Sequence, residues 1–123
     1  ILILYLQTFA LFKSLMRLFF MDRIKKISEF LLAAPKDNFL RHALALEYIK
    51  IGNDIKARQI FEEILQDDEI YSGSYYHLGK LLERCGDMEA AITCYKKGMD
   101  VCLQQKEQHA YNELRGAYEE LVF

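Results

Sequence analysis

Tryptophan is absent from these 123 residues, proline occurs once and cysteine three times. The lone Pro35 and the lack of any Ser/Thr/Pro-rich stretch leave no linker between independent domains. Cys85, Cys94 and Cys102 are odd in number and form no C-x-x-C pair, so the plain reading is reduced, half-buried thiols in a reducing compartment rather than a metal or redox site. Charge of one sign is missing too. A net of −2 gives no basic field to hold a phosphate backbone, and nucleic acid is not an expected partner. Alternation of period two, the strand signal, is not found. Neither is G-x-S-x-G, H-E-x-x-H or a phosphate-cradling glycine loop. The consecutive carboxylates Glu62-Glu63 and Asp67-Asp68-Glu69 read as solvated charge at a helix flank and end. An enzyme is not expected, and no cofactor is implied.

What is present is the balance of a soluble globular chain, 52% apolar and 28% charged. Residues 1–20, ILILYLQTFALFKSLMRLFF, stand apart. As a helix they would be about 30 Å long, enough to cross a bilayer. Lys13 and Arg17 oppose that, each costing about 2.5–3.5 kcal/mol at the bilayer centre. Gln7, Lys13, Ser14 and Arg17 share one side of a helical wheel, which suits a helix lying in an interface or against protein. A secretory signal fits poorly, because no basic segment precedes the run and no small-x-small cleavage site follows it. Met21 opens an ordinary soluble sequence, so three readings of 1–20 stand side by side: a non-native extension, a membrane-associated helix, and an extra packing helix.

From Asp22 the pattern is helical throughout. Ile24, Ile27, Phe30 and Leu31 recur at three- and four-residue steps, with Asp22 as the expected N-cap and Pro35 as the stop. Further helices are expected at 38–51, 54–67, 73–85, 88–104 and 108–122. Gly52 and Gly86 supply left-handed turns, followed by the caps Asn53 or Asp54 and Asp87. The expected fold class is all-α, with antiparallel helix pairs joined by tight turns.

The stretch Asn38–Leu103 states one rule twice. A shift of 34 places puts Leu44 on Leu78, Ala45 on Gly79, Tyr48 on Leu82, Gly52 on Gly86, Asn53 on Asp87, Ala57 on Ala91 and Phe61 on Tyr95. These positions resemble those of the tetratricopeptide repeat family: Leu44-Ala45-Tyr48 and Leu78-Gly79-Leu82 in the first helix of each repeat, Ala57-Phe61 and Ala91-Tyr95 in the second. The physics agrees. Ala45, Gly79, Ala57 and Ala91 let paired helices approach, while Phe61 and Tyr95 are expected to fill the wedge between successive repeats. In this register 22–35 resembles the second helix of a half repeat, with Arg23 in place of alanine and Ile27 in place of an aromatic residue. The full repeats are 38–71 and 72–105. Residues 108–122 resemble a capping helix, in which Arg115 replaces the small residue. Leu103 stands where a closing proline would, so helix 88–104 is free to run on.

The resemblance implies a short right-handed solenoid whose first helices line a concave groove for a peptide or helix of another protein. By repeat register the groove carries Phe39, His42, Ala43, Leu46 and Ile49; then Gly73, Tyr76, His77, Lys80 and Arg84; then His109, Asn112 and Glu113. The expected partner-binding residues are Phe39, His42, Leu46, Tyr76, His77, Lys80, Asn112 and Glu113. All three histidines fall on this face, but no cysteine or carboxylate completes a metal ligand set at recognisable spacing. The family's Lys/Asn/Arg carboxylate clamp is not present, because His42, Leu46, His77, His109 and Glu113 hold its places. Two functions remain as expectations. One is a cytoplasmic adaptor or scaffold for protein–protein interaction. The other is an assembly factor tethered to a membrane, or self-associated, through residues 1–20.

Overall fold

A computed structural model describes all 123 residues as six helices in sequence. They are α1 (Leu2–Ala33), α2 (Asn38–Lys50), α3 (Asp54–Asp67), α4 (Gly73–Arg84), α5 (Met88–Gln105) and α6 (Gln108–Val122). No strand occurs. From α2 onward each helix begins where the periodicity puts it and ends within a residue of the expected place.

The turns explain that agreement. Gly52 and Gly86 sit at φ of +81° and +87°, conformations that cost a side-chain-bearing residue free energy. Beyond them the Asn53 N–H donates to the Tyr48 carbonyl at 2.9 Å, and the Asp87 N–H to that of Leu82 at 3.0 Å. The same two side chains then cap the following helices, Asn53 accepting from the Lys56 N–H and Asp87 from the Ala90 N–H, each at 3.1 Å. One residue pair thus ends one helix and starts the next, twice, 34 residues apart. The α5–α6 turn uses the same bonding, from the Glu107 N–H to the Cys102 carbonyl at 2.9 Å, but Lys106 takes the left-handed position at φ +59°. Without a closing proline, α5 runs to Gln105.

Packing follows the small residues. Ala45, Ala57 and Ala91 are fully buried. Gly79 lies under the ring of Tyr95, whose hydroxyl donates to Glu83 one turn further along α4. Tyr95 is thus anchored within its own hairpin, and Phe61 does the bridging expected of it. Its ring centroid stands 5.3 Å from that of His42 in its own hairpin and 5.8 Å, stacked, from that of His77 in the next.

The first helix departs from expectation. Asp22 does not cap a new helix: α1 passes through it unbroken, and Lys26 pairs with it at 3.2 Å one turn on. Between Phe20 and Leu31 the half-buried face of α1 lies against α2. Arg23 donates to Glu47 at 2.9 Å, and Lys50 stands 5.4 Å from the Phe20 ring centroid. Those two pairs run in opposite directions along the chain, so α1 and α2 are antiparallel. Residues 1–19 extend past the end of α2, and every one is exposed.

Glu47 is 3% exposed and takes the place that Leu81 holds one period later. Arg23 and Lys50 satisfy one of its carboxylate oxygens. Asp67 is likewise more than solvated charge. It accepts from Arg41 at 2.8 Å and Lys36 at 3.0 Å, and chiefly the Arg41 bond lowers its pKa below the ordinary carboxylate value. Asn38 donates to neighbouring Asp68, so the start of α2 is tied to the end of α3.

Candidate functional site

The face shared by α2, α4 and α6 carries a cluster of rings. His42 comes from the second turn of α2 and His77 from the second turn of α4, with centroids 5.4 Å apart in an edge arrangement. Phe61 reaches between them from α3. Tyr71, just before α4, closes one side at 5.8 Å from His42, and Tyr76 meets His77 edge-on at 5.6 Å. Such edge-to-face and offset contacts contribute beyond the area they bury. Ser74 is fully buried and lies 3.0 Å from His42 Nδ1, which fixes the ring's rotation.

Burial sets the charge of the cluster. Removal from water lowers the pKa of His42 to about 4, helped by repulsion from His77. Burial also lowers that of His77, with Glu113 of α6 pulling in the opposite direction. Both rings are neutral at pH 7, so the cluster presents aromatic surface and hydrogen-bonding nitrogens rather than cations.

Around it the expected residues divide. Leu46, Tyr76 and Lys80 are half-buried, and Phe39 stands 75% exposed in the first turn of α2. Lys80 lies 5.8 Å from the Tyr76 ring centroid, pairs with Glu83 at 3.3 Å and approaches Glu120 of α6 at 3.9 Å, joining the last two elements of the face. Asn112 accepts from Gln108, and Glu113 pairs with His109 at 2.8 Å; all four are exposed on α6. His109 is thus tied to Glu113, whose charge also reaches His77, and is not one of the rings in contact. Arg84 leaves the face, since its guanidinium clasps both oxygens of Asp54 in α3 at 2.8 and 3.1 Å. Sequence reasoning passed over Tyr71 and Ser74, whose partner His42 lies about 30 residues away, and gave Phe61 to the core alone.

No group of three or more His, Cys, Asp or Glu side chains converges to hold a metal ion. The thiols are free but differ in setting: Cys85 is exposed rather than half-buried, Cys94 is half-buried and Cys102 is buried. Burial pushes the Cys94 pKa up to about 12, and its Sγ–H donates to the Tyr75 carbonyl at 3.4 Å, a protonated thiol of low reactivity.

A family model described as tetratricopeptide repeat matches residues 72–104, the α4–α5 hairpin. A tetratricopeptide repeat domain protein from Salinibacter ruber, known as a crystal structure, is 40% identical; the match covers 70% of this chain and 96% of that one, with a TM-score of 0.68. A protein from Bordetella parapertussis is 22% identical across 80% of this chain and 86% of its own, with a TM-score of 0.71. The MamA protein is 19% identical across 84% of this chain and 58% of its own, with a TM-score of 0.65. These last two share the fold. Comparison with curated proteins gives no match. With two hairpins in one register, and this identity over nearly the whole Salinibacter domain, the chain belongs to the tetratricopeptide repeat family.

Proposed function

We propose that this chain is a protein–protein interaction module, an adaptor or scaffold that holds a peptide or helix of another protein on the face of α2, α4 and α6. The observation that carries the reading is the ring cluster His42–Phe61–His77–Tyr76, built from two successive hairpins and bordered by Phe39, Leu46 and Lys80. Aromatic side chains held rigid by their neighbours lose little freedom on binding, which makes them effective anchors. Lys80 supplies polar selectivity beside them, and Asn112 and Glu113 extend the face onto α6. Catalysis is no part of this reading, in keeping with a family that is generally non-catalytic. Three free thiols support a reducing, cytoplasmic setting. The test is co-purification with Tyr76→Ala plus His77→Ala. Loss of the main partner with an intact far-UV CD spectrum supports the groove, and unchanged recovery rejects it.

A second reading, attachment to a membrane or self-association through α1, is favoured by one observation. Every side chain from Ile1 to Phe19 is exposed although the helix is apolar.

A further inference from the structure

We propose that α1 docks the protein on the surface of an anionic lipid bilayer, with its apolar face set among the acyl chains and its basic residues among the headgroups. The proposal rests on the second reading above and names its partner.

Charge separates α1 from the rest of the molecule. Residues 1–33 carry Lys13, Arg17, Arg23, Lys25 and Lys26 against Asp22 and Glu29, a balance of +3. The other 90 residues carry the remaining 11 Lys and Arg against 16 Asp and Glu, a balance of −5, and the two add to the −2 of the whole chain. An anionic surface therefore attracts the apolar helix and repels the helical domain, which orients the molecule on approach.

Geometry agrees with charge. Lys13 and Arg17, with Phe12, Met16 and Phe20 beside them, line a shallow hollow together with Lys50 and Ile51 at the end of α2, so the two basic residues lie on the side of the folded domain. Leu4, Leu11, Leu15 and Phe19 fall away from Lys13 and Arg17 at helical spacing and are all exposed, with Ser14 at the border. A helix lying flat would then present its apolar side to lipid and hold the domain in water. About 18 residues project beyond α2, roughly 27 Å of helix at 1.5 Å per residue. Basic residues on the domain side suit this interfacial placement better than a span, in which Lys13 and Arg17 would enter the hydrocarbon. A second copy pairing through the apolar side would leave Lys13 and Arg17 unused on the outside, whereas an anionic surface engages both the apolar side and the basic residues.

The experiment is flotation of the full chain with vesicles of 70:30 phosphatidylcholine:phosphatidylglycerol or of phosphatidylcholine alone, at 0.1 and 0.5 M NaCl, with light scattering in the absence of lipid. The expected partition is at least tenfold higher on anionic vesicles, with most of the difference lost at high salt. Lys13→Glu plus Arg17→Glu should cut it at least tenfold, and Leu11→Asp plus Leu15→Asp should abolish it. These four side chains are exposed, so the domain's thermal melt serves as a control that should not move. Equal flotation on neutral vesicles that survives a carbonate wash would mean a spanning helix; it overturns surface docking and leaves attachment through α1 standing. A lipid-free mass of two or more copies, collapsed to one by Leu11→Asp plus Leu15→Asp, overturns the bilayer in favour of self-association. A monomer that floats with neither vesicle overturns both the proposal and the reading beneath it.

Discussion

The ring of Tyr95 lies against the backbone of Gly79, so that a Cβ there would stand 2.6 Å from its Cζ and 2.7 Å from its Cδ1. Both residues are buried, and the Tyr95 hydroxyl is bonded to Glu83, so the ring cannot simply swing away. Gly79→Ala should destabilise the domain by about 1–3 kcal/mol through overpacking. Urea denaturation checks this, and Gly79→Ala combined with Tyr95→Leu should recover part of the loss.

The turn glycines test a different cost. Nothing lies within 4 Å of a Cβ placed at Gly52 or Gly86, so substitution there meets only the left-handed backbone. Gly52→Ala and Gly86→Ala should each cost about 1 kcal/mol. Lys106, at φ +59°, should respond with the opposite sign: Lys106→Gly is expected to stabilise by up to about 1 kcal/mol. Thermal melts of the three variants would establish the order.

These turns also show why so much of the fold could be read from the residues. Gly-Asn and Gly-Asp at a fixed step give local, strong signals for where one helix stops and the next begins. Asp22 misled because a capping residue type says nothing about whether the chain turns there; no glycine or proline precedes it, and Lys26 satisfies it inside the helix. The burial of Glu47 was hidden for another reason. Its partner Arg23 lies 24 residues upstream, on a helix whose docking depends on tertiary contact. Of the candidate site, the repeat register placed His42, His77 and Tyr76 on one face but could not foresee Phe61 between them, nor Arg84 turning to Asp54.

Glu47 gives a direct probe of how α1 is held. Arg23→Ala leaves the buried carboxylate with Lys50 alone and should cost about 1–2 kcal/mol, less than for a fully buried pair because Arg23 is half exposed. Glu47→Leu, matching Leu81 of the next hairpin, should be neutral or stabilising. Double-mutant analysis of the pair by chemical denaturation separates the two effects.

Acid should weaken the ring cluster. The folded pKa of His42, about 4, lies below the ordinary histidine value of 6.5, so the unfolded chain binds more protons between the two. The stability is whole above pH 6.5, falls as pH drops below it, and has lost this contribution near pH 4. Its size is about 2 kcal/mol after allowance for the ring's partial exposure. His42→Phe should flatten that part of the stability–pH profile, leaving the smaller slope from His77.

Site-specific photocrosslinking tests groove binding most directly. A photoreactive phenylalanine analogue at position 76, beside His77, or at position 93, exposed on α5, would be irradiated with the partner bound. A crosslink from position 76 and none from position 93 is the predicted result. Capture from position 93 with none from position 76 would contradict binding on the face of α2, α4 and α6.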